Sequence, residues 1–163
     1  MAEISYARAN RQYVEMTPNE IWDFIASQRV MFVGLAGNDG YPHVTPVWHV
    51  VDNKTIYFRG SSYKTKMRLA ASAPICCTFA DGTRYIDLRG VVVRGTSSLV
   101  KDESSLERVH VMIQTKYADM NRTESNPPSS WLTARAAEKS STIKVEPERI
   151  SSWDNGKLSK WQP

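Results

Sequence analysis

Apolar positions change their spacing several times along this chain, and each change marks an element. After Thr17-Pro18-Asn19-Glu20, the residues Ile21, Trp22, Phe24 and Ile25 recur at helical spacing. Threonine can cap the free amides, proline fits the first turn, and a glutamate three places on completes a capping box. A helix to about Ser27, packed on the domain by one face, is predicted. Arg29 to Ala36 is then a run of strand formers closed by Gly37-Asn38-Asp39-Gly40, which is hairpin turn chemistry. Tyr41 to Val51 reads as the second strand, but Pro42 and Pro46 cannot donate to a ladder, so part of it must be an edge, a bulge or a strand entry.

Asp52-Asn53-Lys54 turns the chain into a third strand, Thr55 to Arg59, and Gly60 to Tyr63 is a polar loop. Lys64 to Ala71 has helix formers before the stop at Pro74. Pro74 to Ala80 and Tyr85 to Leu99 are strand-like, with Gly90 and Gly95 as bulge or bend points. From Asp102, Leu106, Val109, Met112 and Ile113 return to helical spacing as far as about Tyr117. Met120 to Ser130 reads as a surface loop, Trp131 to Ala137 as a helical turn, and Ser141 to Trp153 as a last strand with Pro147 at an edge or bend. Consecutive strands with short turns and few crossover helices point to an antiparallel barrel or sandwich with flanking helices, a mainly β (α+β) fold.

Composition adds bounds. The 163 residues, 41% hydrophobic and 23% charged, suit one globular domain spanning residues 1–163. The first residues carry no apolar core of signal-peptide length, and no stretch nears the roughly 20 apolar residues of a membrane span, so no membrane partner and a cytoplasmic location are expected. Cys76 and Cys77 are adjacent, point to opposite faces of a strand and read as inert packing residues. His43 and His49 would share a face of a regular strand, but Pro46 interrupts it and no third ligand has sensible spacing, so no metal site is expected. His110 reads as a surface or packing residue of its helix.

The net charge of +4 is mild, and its distribution says more. Arg59-Gly-Ser-Ser-Tyr-Lys-Thr-Lys66 sets four hydroxyls and three cations in eight residues between a strand and a helix. Charge-assisted hydrogen bonds, hydroxyl donors and backbone amides in one place suit a phosphate. A solvated basic loop is the competing reading. The chain has no GxxxxGK[ST] or GxGxxG segment, which argues against a triphosphate loop or a Rossmann turn. The cations sit in one loop rather than along a strand with stacking aromatics, so nucleic acid is not the expected partner.

Gly40-Tyr-Pro-His-Val-Thr-Pro-Val-Trp48, Thr55-Ile-Tyr-Phe-Arg59, Lys64-Thr-Lys66 and Pro74-Ile-Cys-Cys, in that order, resemble the pyridoxamine-phosphate-oxidase-like family of FMN-binding split β-barrels. The likeness runs over about residues 29 to 100, with Ile150-Ser-Ser-Trp153 also similar to its small bacterial members. The resemblance implies an antiparallel split β-barrel and a homodimer with FMN at the interface. It further implies that Arg59, Ser61, Ser62, Lys64 and Lys66 surround the cofactor phosphate, that Thr45, Pro46, Val47 and Trp48 lie against the flavin ring with backbone groups to its polar edge, and that Trp131 contributes from the second subunit. The chain lacks the carboxy-terminal Arg-Leu-x-Pro segment of true pyridoxamine-phosphate oxidase, so oxidation of vitamin B6 is not expected. A related branch uses the deazaflavin coenzyme F-420, whose longer anionic tail a basic groove extended by Arg68 and Arg84 would suit.

Because a flavin carries its own redox chemistry, few dedicated acids or bases are needed, which agrees with the want of a recognisable catalytic triad. The expected function is a flavin-dependent oxidoreductase exchanging a hydride with a small organic substrate. The alternatives are a deazaflavin-dependent reductase, a cofactor carrier without turnover, and a haem-binding protein with His43 or His49 as axial ligand.

Overall fold

In the computed structural model, residues 4–7, 12–61, 70–121 and 140–160 are described. Helix α1 (Pro18–Ser27) begins as its sequence requires: the Thr17 hydroxyl accepts from the Glu20 amide, and the Thr17 amide donates to the Glu20 carboxylate at 2.7 Å. Lys157 Nζ lies 2.8 Å from the same carboxylate and donates to the Glu15 carbonyl, tying the far end of the chain to this helix start. Ile21, Trp22, Phe24 and Ile25 are buried.

The sheet is built from β1 (Ser5–Ala7), β2 (Met31–Ala36), β3 (Pro42–Val47), β4 (His49–Asp52), β5 (Thr55–Ser61), β6 (Ser72–Asp81), β7 (Arg89–Leu99) and β8 (Ser140–Asp154). Its order is β3-β2-β6-β7-β8-β5-β4, antiparallel throughout that path, with β1 adding parallel to β8. The two edge strands, β3 and β4, are consecutive in sequence and separated only by Trp48, so the sheet curls until its edges lie one residue apart along the chain. The fold is a split β-barrel with two described α-helices.

The second strand of the sequence reading is therefore two strands, because Pro42 and Pro46 are confined to the edge strand β3 and pairing resumes on a different neighbour after Trp48. The first strand starts at Met31 rather than Arg29, whose side chain instead reaches Asp119 and the Lys116 carbonyl. Tyr85–Asp87 is a 3₁₀ turn, not strand, and β7 begins at Arg89. Gly95 does sit at a break in register, opposite Pro147. Pro147 also falls between the stretches of β8 that pair with β5 and with β1, so its missing amide costs no ladder bond there. Gly90 marks no bulge; it makes room for the Trp153 ring.

Two apolar clusters hold the fold together. Inside the barrel, Met31, Val33, Ile56, Phe58, Cys77, Phe79, Val91 and Ile143 pack with the inner face of α1. Outside it, helix α2 (Glu103–Lys116), capped by the Asp102 carboxylate on the Ser105 amide, lays Val109 and Ile113 over Val50, Tyr57 and Val100. This second cluster fixes α2 across β4 and β5, the strands that carry the candidate site.

Candidate functional site

Arg59 occupies the end of β5, directly opposite Thr142 of β8, on the face covered by α2. Its Nη2 donates to the Ser140 hydroxyl at 2.6 Å, and its Nη1 meets Nδ1 of His110. Its Nε is buried without a partner, as is the Thr142 hydroxyl. No carboxylate pairs with this guanidinium among the described residues. Burial lowers its pKa, yet an arginine stays charged in proteins. A half-buried cation with spare donors and no counter-ion among the described residues suits an anionic ligand.

His110 is thus more than a packing residue of its helix. It joins α2 to Arg59, and its Nε2 lies 2.9 Å from the Gln114 amide one turn further on. Burial first, and the neighbouring Arg59 charge second, hold its pKa below the ordinary value. Spacing along the helix could not reveal this, since His110 and Arg59 stand 51 residues apart.

The segment expected to face the ring splits in two. Val47 turns inward and is buried in the barrel core, so only its backbone can meet a ligand. Thr45 and Pro46 lie on β3, beyond which no described strand pairs, leaving alternate backbone groups of this edge unbonded within the sheet. Trp48, between the edges, stacks on Tyr117 with ring centroids 4.4 Å apart. Tyr117 follows the last residue of α2, and His110 lies seven positions before it. One helix therefore touches the Trp48 end of the site and, roughly 10 Å back along its axis, the Arg59 end.

Ser61 ends β5, its side chain lying outside the described residues, and Ser62, Lys64, Lys66, Arg68 and Trp131 lie outside them altogether. Arg84 is exposed, and Asp87 engages its guanidinium through two hydrogen bonds.

His49 is closed to ligands. It is 0% exposed, its Nε2 lies 2.9 Å from the Ile25 carbonyl, and its ring meets Phe79 edge-on. Burial, and then the Lys116 ammonium, push its pKa down to about 4.

The outer face of β2, β3 and β6 carries a groove of about 510 Å³ whose lining includes Phe32, Gly34, Tyr41, Val44, Cys76 and Thr78 and, among the described residues, no charged side chain. Phe32 is 46% and Val44 60% exposed. Cys77 is a buried packing residue, as expected, whereas Cys76 turns outward into this groove. No described helix is long and apolar enough to cross a membrane.

Comparison with known proteins agrees with this architecture. A conserved hypothetical protein from Mycobacterium tuberculosis superposes with a TM-score of 0.78 at 26% identity, covering 95% of each chain. An FAD-binding protein from Mycobacterium smegmatis gives 0.58 at 22% identity over 83% of this chain and 93% of that one. The haem storage protein HutZ from Vibrio cholerae gives 0.63 at 12% identity over 82% and 92%. No curated protein sequence matches. The profile described as pyridoxamine 5'-phosphate oxidase matches residues 17–152, from the cap of α1 to two residues short of the end of β8. With β2 to β7, most of β8, the edge at Trp48 and Arg59 of β5 all inside that span, the chain belongs to the pyridoxamine 5'-phosphate oxidase family.

Proposed function

We propose that this protein is a flavin-dependent oxidoreductase that binds FMN at a homodimer interface and exchanges a hydride with a small organic substrate. The observation that carries the reading is Arg59, a half-buried guanidinium with an unpartnered Nε and no described carboxylate, at the strand end where a phosphate monoester would be held. The residues present fit such a group. Arg59 would bind the phosphate, joined by Ser61 at the end of β5 and by Ser62, Lys64 and Lys66 in the residues that follow. The Thr45, Pro46 and Val47 backbone at the sheet edge would meet the polar rim of the ring, and the Trp48–Tyr117 stack would hold the wall beside it.

Bound FMN would supply the two-electron chemistry, and the protein's part is binding, orientation and exclusion of water. The apolar groove on β2, β3 and β6 suits that last role once a second copy covers it, with Trp131 as a contribution from the partner. The likeness to an FAD-binding protein supports a flavin in general terms. The deazaflavin coenzyme F-420, whose tail is also anionic, is the alternative. Haem, suggested by the name of a more distant neighbour, would have to use His43, since His49 is committed to Ile25 and walled in.

Cofactor-stripped protein titrated with FMN, coenzyme F-420 and haemin separates these readings. Quenching of FMN fluorescence at micromolar protein or below is expected, weakened about tenfold or more in Arg59→Ala. Reoxidation of the bound, reduced flavin by a panel of conjugated organic acceptors then distinguishes an enzyme from a carrier. Binding of F-420 alone would move the protein to the deazaflavin branch, and binding of none would end the redox reading.

A further inference from the structure

Arg59 is gripped from two sides, and the hydrogen-bond chemistry of that grip can be assigned. A guanidinium only donates, so the His110 Nδ1 that meets it must be the unprotonated acceptor, which puts the ring proton on Nε2. The Gln114 group 2.9 Å from Nε2 must then be its amide oxygen, because two N–H donors cannot bond each other. The chain of donors therefore runs from Arg59 to His110 to Gln114, the last two one turn apart on α2.

On the other side, Nη2 donates to Ser140 of β8. These two anchors fix the plane of the guanidinium and leave Nε as its buried edge. The Thr142 side chain, 1% exposed, is the cross-strand partner of Arg59, and its hydroxyl is likewise unpartnered. Directly opposed side chains on paired strands start about 5 Å apart, a span that one oxyanion bridges by accepting from both.

We propose that His110 is a positioning residue for an anion site in which Arg59 and Thr142 together hold a phosphate monoester beneath α2. The inference rests on the flavin reading in taking that phosphate to be the cofactor's, and it assigns the helix a role in binding that no strand motif carries. Neutral His110 keeps Arg59 turned so that Nε faces Thr142; without an acceptor at that point the guanidinium is free to swing toward solvent.

The test compares FMN with riboflavin, which has the ring but no phosphate, in wild type, His110→Ala, His110→Asn and Thr142→Val, each checked for an unchanged melting curve. His110→Ala and Thr142→Val should each weaken FMN about tenfold and leave riboflavin unmoved. His110→Asn, whose Oδ1 stands where Nδ1 stood, should restore FMN affinity to within about threefold of wild type. Riboflavin falling in step with FMN, or Asn behaving as Ala, would show mere packing and overturn the proposal. Should wild type bind neither flavin, inorganic phosphate followed through the His110 ring resonances decides: a saturable shift abolished by Thr142→Val keeps the anion site and removes only the flavin reading. No shift removes both.

Discussion

The Tyr117 hydroxyl and the His49 amide meet 3.0 Å apart at the point where the two edges of the split barrel come together. The same hydroxyl is 2.8 Å from the Arg29 carbonyl and 3.0 Å from that of His49, so its one proton serves this carbonyl pair while its oxygen accepts the amide. Tyr117 is fully buried and its ring carries Trp48. Tyr117→Phe keeps the stack but strands the His49 amide and a carbonyl. A loss of about 1–3 kcal/mol in urea unfolding is expected, with Trp48 fluorescence reporting a loosened stack before the global transition. An unchanged midpoint would mean that water replaces the hydroxyl at no cost.

The neighbouring His49 predicts an acid limb of stability. Its pKa is about 4 in the fold against an ordinary 6.5, so between those values the unfolded chain binds a proton that the folded chain refuses. Stability is full above about pH 6.5 and falls as the pH drops toward 4, by on the order of 3 kcal/mol. Urea midpoints measured from pH 7.5 to 4.5 should trace that decline. In His49→Gln the slope over this window should shrink to the part contributed by His110, which is also held below its ordinary value; in Lys116→Met, which removes the weaker of the two causes and leaves burial, it should shrink less and persist.

How far the sequence led depended on the range of the contacts. The cap at Thr17, the strand Thr55–Arg59 and the kink at Gly95 are local events, written in capping chemistry, β-branched runs and glycine placement, and they stand where the sequence puts them. The division at Trp48 was visible only as an interruption by Pro42 and Pro46, because the prolines forbid a continuous ladder but do not say which neighbour resumes it. The helix α2 was legible as amphipathic, whereas its two polar services, His110 to Arg59 and Tyr117 to His49, were not. Both join residues more than 50 positions apart, and they arise from where Val109 and Ile113 seat the helix, not from any pattern in its own sequence.

The bulge itself can be tested. A Cβ at Gly95 would collide with the Glu146 carbonyl oxygen, a backbone atom in the central β7–β8 pair that has no rotamer by which to yield. Gly95→Ala should therefore cost about 1–3 kcal/mol or more, as overpacking does. The comparison is Gly34→Ala, where the nearest atom is 3.6 Å away in ordinary contact and the melting temperature should hardly move. Equal behaviour of the two variants would mean that the strands part at the bulge without penalty.

The apolar face of β2, β3 and β6 gives the last prediction. Val44 stands directly opposite Gly34, which in turn faces Cys76 on β6, so the glycine opens a channel between rows of side chains, with Phe32 at its flank. Single exposed apolar residues are ordinary, but Phe32, Tyr41 and Val44 around a groove with no charged side chain among the described residues form a patch of the kind that marks an interface. Val44 points away from the core, so Val44→Asp should leave the melting temperature of the isolated chain almost unchanged while placing a carboxylate where two copies would meet. Sedimentation equilibrium at micromolar concentration should then find a dimer for the wild type and a monomer for the variant, with FMN affinity falling alongside. A variant that is monomeric yet binds FMN as tightly as wild type would put the whole cofactor site within one chain, and a variant that stays dimeric would place the interface on another face.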